Sequence, residues 1–237
     1  MTGLNKARDV LRHSKLFSSV ESVLIDDILQ RCQRETWARK RSVAAEDVCQ
    51  RIHIILSGRL QVTRINEETG RMVALFFLAP GDVFDVIEFL TEQPCEGVFL
   101  ARDDIELLTL PVTEARAWLT DHPEFNKGLL PYLGQQMHGL TQLASDLALH
   151  DTETRLAHLI MRHLDEKDPE RHKLKLINDL SHEVLAEMIG SVRAVVNRQL
   201  QHWRKQGIVS LDHGHIHVEK LEALLDRAGQ IRLPPPD

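Results

Sequence analysis

Arginine and carboxamide side chains spaced along one face of a helix can read base-pair edges, because both groups present paired hydrogen-bonding atoms that match purine acceptors and donors. The stretch "EMIGSVRAVVNRQLQHWRK", from Glu187 to Lys205, carries that spacing. After its first residue it holds Arg193, Arg198, Arg204 and Lys205 without one carboxylate, in a chain of formal charge −6 and pI about 6.1. On a helix starting near Ser191, at about 100° per residue, Val192, Val195, Val196, Leu200 and Trp203 fall on one side. Arg193, Asn197, Gln201 and Arg204 fall on the other, with Ala194 and Arg198 on its flank. The pattern predicts a core face and a basic, amide-bearing face.

The elements around this helix must aim it. Upstream, in "LSHEVLAEMIG", Ser181 suits a helix N-cap, Leu185, Met188 and Ile189 form an apolar face, and Gly190 can supply the positive φ of a tight turn. Two short helices meeting at a glycine make a helix-turn-helix, whose second helix enters the major groove. Downstream, Ile208–Leu211 and His215–Val218 read as strands around a turn at Asp212–Gly214, a hairpin that makes a wing. From Asp151 onward the chain has 13 Lys and Arg against 14 Asp and Glu, so the basic patch is local. Counterion release depends on the cations that face phosphate, and a weakly acidic protein can still bind DNA.

Other chemistries find less support. Cys32, Cys49 and Cys95 are odd in number and far apart, which suits neither a disulfide framework nor a CxxC metal site. The "HGHIH" histidines of the wing are read as solvated and not as a zinc site, on the ground that strand residues alternate between faces. The chain has no phosphate-cradling glycine loop, no HExxH and no recognisable Ser/His/Asp context, so no enzyme is expected. A scaffold or ligand-sensing module without DNA binding is the alternative from another class. With 43% hydrophobic and 27% charged residues, no apolar run of about 20 residues and no signal-peptide core in "MTGLNKARDV", a cytoplasmic protein without membrane contact is expected.

Before about residue 35 the pattern is helical, with Ser18 or Ser19 as a cap and Leu24, Ile25, Ile28 and Leu29 as a stripe. To Pro111 the period changes to short strands, "IHIILSG", "RLQVTRI", "RMVALFFL", "GVFLA" and "IELLTL", separated by glycine turns. That predicts a jelly-roll. A long helix follows from near Pro123, weakened at its start by Pro131 and Gly134. In it Leu133, Met137, Leu140, Ala144 and Leu147 recur at steps of four and three, the seam of a helix packed on a copy of itself. A break near His150–Asp151, with Asp151 or Thr152 as a cap, marks a hinge; "DEKDPERHK" is a charged loop, and the tail "RLPPPD" is expected to be disordered. The expected architecture is α+β: a β-roll over 1–122, a dimerisation helix and hinge over 123–150, and a winged helix-turn-helix over 151–237.

This order resembles the CRP/FNR family of bacterial transcription regulators along nearly the whole chain. The stretches that carry the resemblance are "IILSGRLQV", "APGDVF", "LALHDTETRLAHLI" and, most specifically, "LSHEVLAEMIGSVRAVVNRQLQHWRKQGIV". The resemblance implies a homodimer on a palindromic operator in double-stranded DNA, with RNA polymerase as a partner. It places Arg193 and Arg198 where family members present arginines to bases, and Ser181, Ser191, Asn197, Gln201 and Arg204 at the same interface. Ala194 departs from the family's usual glutamate and offers only a methyl group.

In members that bind cyclic nucleotides, a Gly-Glu pair holds the ribose and an Arg-Ser pair the phosphate. The matching positions here are Asp85–Val86 and Cys95–Glu96, with Leu140 and Thr141 near the base. A phosphate without an arginine and beside a carboxylate would be desolvated uncompensated, so cyclic AMP is not expected. Scattered cysteines speak against an iron–sulfur cluster. Haem, another small molecule or control by abundance is left open, with His53 and His138 as candidate haem ligands among thirteen histidines.

Overall fold

The computed structural model describes residues 3–48, 50–84, 86–91, 93, 96–165, 174–212 and 215–229. Helices α1 (Gly3–His13) and α2 (Ser22–Arg31) lead into β1 (Gln33–Trp37), β2 (Ser42–Ala44), β3 (Arg51–Ser57), β4 (Leu60–Ile65), β5 (Met72–Leu78) and β6 (Val83–Phe84). Then come α3 (Val86–Thr91), β7 (Val98–Ala101), β8 (Ile105–Pro111), α4 (Val112–Asp121) and α5 (Pro123–Leu149). The remainder is α6 (Thr152–Arg162), α7 (His182–Met188), α8 (Arg193–Lys205), β9 (Val209–Asp212), β10 (His215–Val218) and α9 (Leu221–Arg227). The chain divides into two compact units, one of residues 1–71 and 75–140, the other of residues 141–237 with 72–74.

In the first unit two four-stranded sheets, ordered β1-β8-β3-β6 and β2-β7-β4-β5, form the expected jelly-roll. The run "IHIIL" is buried throughout because β3 is covered on both faces. Ile52 and Ile54, with Leu108 and Leu110 of β8, pack under Phe17, Ile28 and Phe125 of the helical layer. Alternate residues point the other way, so Ile55 and Leu107 join Trp37, Leu60, Phe84 and Phe99 between the sheets. α5 is continuous through Pro131. Its first half is anchored by buried Phe125, Leu129 and Tyr132, whose hydroxyl donates to the Val83 carbonyl at 3.1 Å.

Several expectations are corrected. Neither Ser18 nor Ser19 caps α2: Glu21 holds that position without a side-chain bond, and Ser19 Oγ donates instead to the Glu124 carbonyl. The stripe of Leu24, Ile25, Ile28 and Leu29 is buried as expected. β1, β2, β6 and α4 are additions. Cys49, His213, Gly214 and the tail "RLPPPD" lie outside the described residues, as does most of the charged loop "DEKDPERHK". No helix among the described residues is long and apolar enough to cross a membrane.

Candidate nucleic-acid interface

Ser181 caps α7, its hydroxyl accepting from the Val184 amide. After Ile189 the chain turns at Gly190, at φ 61°, and the Ser191 amide donates back to the Ala186 carbonyl at 2.8 Å. A side chain at residue 190 would be strained by that φ, and its Cβ would stand 2.5 Å from Leu147 Cδ2. Arg155 of α6 fixes the same turn, donating to the Ile189 carbonyl at 2.7 Å and to Thr152 Oγ1 at 3.1 Å.

α8 begins at Arg193 and not at Ser191; its N-cap is Val192, which offers no side-chain acceptor. Val196, Leu200 and Trp203 are buried, and the Trp203 indole donates to Glu153 Oε1 at 3.1 Å. The same carboxylate accepts from Arg227 of α9 at 2.6 Å, so one residue of α6 holds both α8 and α9. α8 ends in a Schellman arrangement. Gly207 takes φ 66°, its amide bonds the Arg204 carbonyl, and the Ile208 amide bonds the Trp203 carbonyl. That geometry explains "QGIV": the glycine stops the helix and sends Ile208 and Val209 into the wing core.

On the outward face Arg193, Ala194, Asn197, Arg198 and Arg204 are exposed, while Ser191 and Gln201 are half-buried. Arg193, Arg198, Arg204 and Lys205 make no ion pair with a described residue. Four cations left to solvent along α8 form a localised positive field able to displace counterions from phosphate. The wing pairs His215 with Asp212 and His217 with Ser210, and Ile216 and Val218 point inward. Residues two apart on a strand share a face, so His215 and His217 lie on one side of the wing, opposite Ile216 and Val218, and the reading that separated them is corrected.

The other candidate residues are dispersed. Asp85 and Cys95 lie outside the described residues. Val86 opens α3 and packs against the helical core. Glu96 is exposed and already bonded, accepting from Arg64 at 2.6 Å. His53 is buried between the sheets, stacked on Phe84 at 4.4 Å and 7°, whereas His138 is exposed on α5.

Along α5 the expected seam splits. Leu133 packs on its own core, Leu140 is half-buried, and Leu147 lies against Gly190; Met137 and Ala144 are exposed. The exposed stripe runs through Leu130, Gly134, Met137, Thr141, Ala144 and Ala148, again at steps of four and three. The period was readable, but the packing of Phe125, Leu129 and Tyr132 of α5 into the core of the first unit chose which face is exposed.

At the break after α5, Asp151 caps α6 as expected, its carboxylate accepting from the Thr154 amide at 2.8 Å, which holds its pKa below the ordinary value. The sequence reading missed the neighbouring cluster. In it, Asp146 accepts from His158 Nδ1 and from Arg162, each at 2.7 Å. Only the i, i+4 spacing of Asp146 and His150 hinted at this in the sequence.

A β-roll followed by a long helix and a winged helix-turn-helix defines a class of DNA-binding transcription regulators. Residues 41–122 match the cyclic nucleotide-binding domain and residues 154–227 the Crp-like helix-turn-helix domain. The chain is 24% identical over 223 residues to the "CRP-like cAMP-activated global transcriptional regulator" of Mycobacterium tuberculosis H37Rv, covering 93% of this chain and 99% of that one. It is 27% identical over 194 residues to the "Global nitrogen regulator" of a Synechocystis strain, covering 80% and 86%. Among solved structures, the c-di-GMP-responsive global regulator CLP of Xanthomonas campestris superposes with a TM-score of 0.71 at 16% identity, over 84% of this chain and all of that one. The chain belongs to the CRP/FNR family of transcription regulators.

Proposed function

We propose that the protein acts as a homodimer that reads a palindromic operator, placing α8 of each copy in successive major grooves about 34 Å apart. The observation that carries this reading is the exposed face of α8, where Arg193, Arg198, Arg204 and Lys205 lack carboxylate partners among the described residues. Arg193 and Arg198 suit guanine O6 and N7, and Asn197 and Gln201 suit adenine. Ser181, Ser191 and Arg204 serve the backbone, and Ala194 supplies a methyl that favours contact with thymine and offers no acceptor to the cytosine amino group. The exposed stripe of α5 supplies the self-association face, since Leu130 and Met137 are 67% and 69% exposed. RNA polymerase is the partner this assembly implies at a promoter.

Control by cyclic AMP does not extend to this chain from its mycobacterial relative. Val86 and Glu96 offer neither a ribose carboxylate nor a phosphate cation, and Glu96 adds a negative charge already matched by Arg64. Another effector, or abundance, sets activity. Selection of binding sites from random duplexes tests the proposal: a two-fold symmetric site with half-sites one helical turn apart is expected, bound by two chains. Recovery of no preferred sequence, or binding by a single chain, would contradict it and favour a scaffold without operator recognition.

A further inference from the structure

The hinge cluster has the composition and the outer contacts of a metal site. Asp146 and His150 stand four residues apart at the end of α5, where the His150 amide still bonds the Asp146 carbonyl at 3.2 Å, and so share a face. His158 of α6 meets them: its ring lies 5.0 Å from that of His150, and one ligand atom from each of the three residues falls within 4.8 Å of the others. They border a cavity of about 300 Å³ that Thr141, Gln142, Ser145 and Met161 also line. The cavity leaves room for a water as fourth ligand.

We propose that Asp146, His150 and His158 bind a divalent ion of the zinc class, joining the last turn of α5 to α6 across the break at Asp151. Two imidazoles and a carboxylate suit a late transition ion over calcium or magnesium, which take all-oxygen sets. The outer contacts are those such sites need. His158 Nε2 lies 2.9 Å from the Ala228 carbonyl and donates to it, leaving Nδ1 directed at Asp146 Oδ1, while Arg162 holds Asp146 Oδ2. The ion takes the place of a proton between Nδ1 and Oδ1, and that proton leaves to solvent. With bonds of about 2.0–2.2 Å the two atoms open from 2.7 Å to roughly 3.3 Å, a small side-chain adjustment.

A bound ion fixes the angle between α5 and α6, and through Arg155 and Glu153 of α6 the pose of α8. This consequence rests on the DNA-binding reading; the metal site does not. The test uses the full chain stripped with a chelator and titrated with cobalt(II) chloride, then zinc chloride. One ion per chain with visible d–d absorption, displaced by zinc, is expected. His150→Ala, at an exposed position, should abolish the absorption and weaken zinc at least tenfold with an unchanged melting temperature, and Asp146→Asn should do the same for the metal. Absence of cobalt and zinc binding, undiminished binding by His150→Ala, or loss only in a His215→Ala/His217→Ala wing variant would overturn the site. Duplex affinity is measured separately on zinc-loaded wild type, on metal-free wild type and on His150→Ala. Failure of all three to bind DNA overturns the operator reading alone, and zinc that binds without changing wild-type DNA affinity at least threefold overturns the hinge role alone.

Discussion

The arginines of the β-roll and those of α8 are chemically identical and do opposite things. In the first unit Arg8 pairs with Asp26, Arg59 with Asp103 and Arg64 with Glu96, each at 2.6 Å. On α8 Arg193, Arg198 and Arg204 have no carboxylate among the described residues. A paired guanidinium has spent its fork on its own chain and contributes little field; an unpaired one is available to an external anion. The contrast explains how a chain of net charge −6 carries a DNA-binding surface.

The comparison can be broken most severely from beneath. Trp203 is fully buried and bonded to Glu153, so Trp203→Ala should destabilise the second unit by about 3–5 kcal/mol, read by denaturant unfolding, and take DNA binding with it. On the surface, Arg193→Ala should weaken operator binding by about 1–3 kcal/mol and relax specificity at one base pair, whereas Arg64→Ala should leave DNA affinity unchanged; both are read by fluorescence anisotropy. Equal losses in the two variants would erase the distinction between the regions.

Helix caps sharpen it further. Asp151 caps α6 through the Thr154 amide, and Asp151→Ala should cost about 1 kcal/mol in thermal or denaturant unfolding. Val192 leaves α8 without a side-chain cap, so Val192→Ser should gain about 1 kcal/mol by the same measurement. The smallest effect concerns Cys32, whose thiol burial pushes up to about 12. At pH 8 the native protein should alkylate slowly at Cys32, and peptide mass mapping should find full modification only after unfolding.

Much of this was legible because local chemistry and global fold agree. The α7–α8 turn needs Gly190 for its φ, the start of α6 needs an acceptor at Asp151, and the wing needs Gly207 to end α8. What escaped was set by tertiary packing. "QRETW" of β1 carries two charges and no apolar alternation, and is a strand because β8 pairs with it from Gln33↔Thr109 to Trp37↔Ile105. The α5 seam turned because Leu133 was taken by its own core. The cluster of Asp146, His150 and His158 needed two helices to meet, and its i, i+4 half alone is too common to single out.

The most direct test of the central claim is the salt dependence of duplex DNA affinity. With four cations on α8 that have no carboxylate partner among the described residues, and with the two bound copies proposed above, log K should fall linearly and steeply with log[salt], and Arg204→Ala should make the slope shallower by roughly 1 to 2. Affinity that ignores salt between 50 and 200 mM, or a slope untouched by removing Arg204 and Lys205 together, would contradict the account.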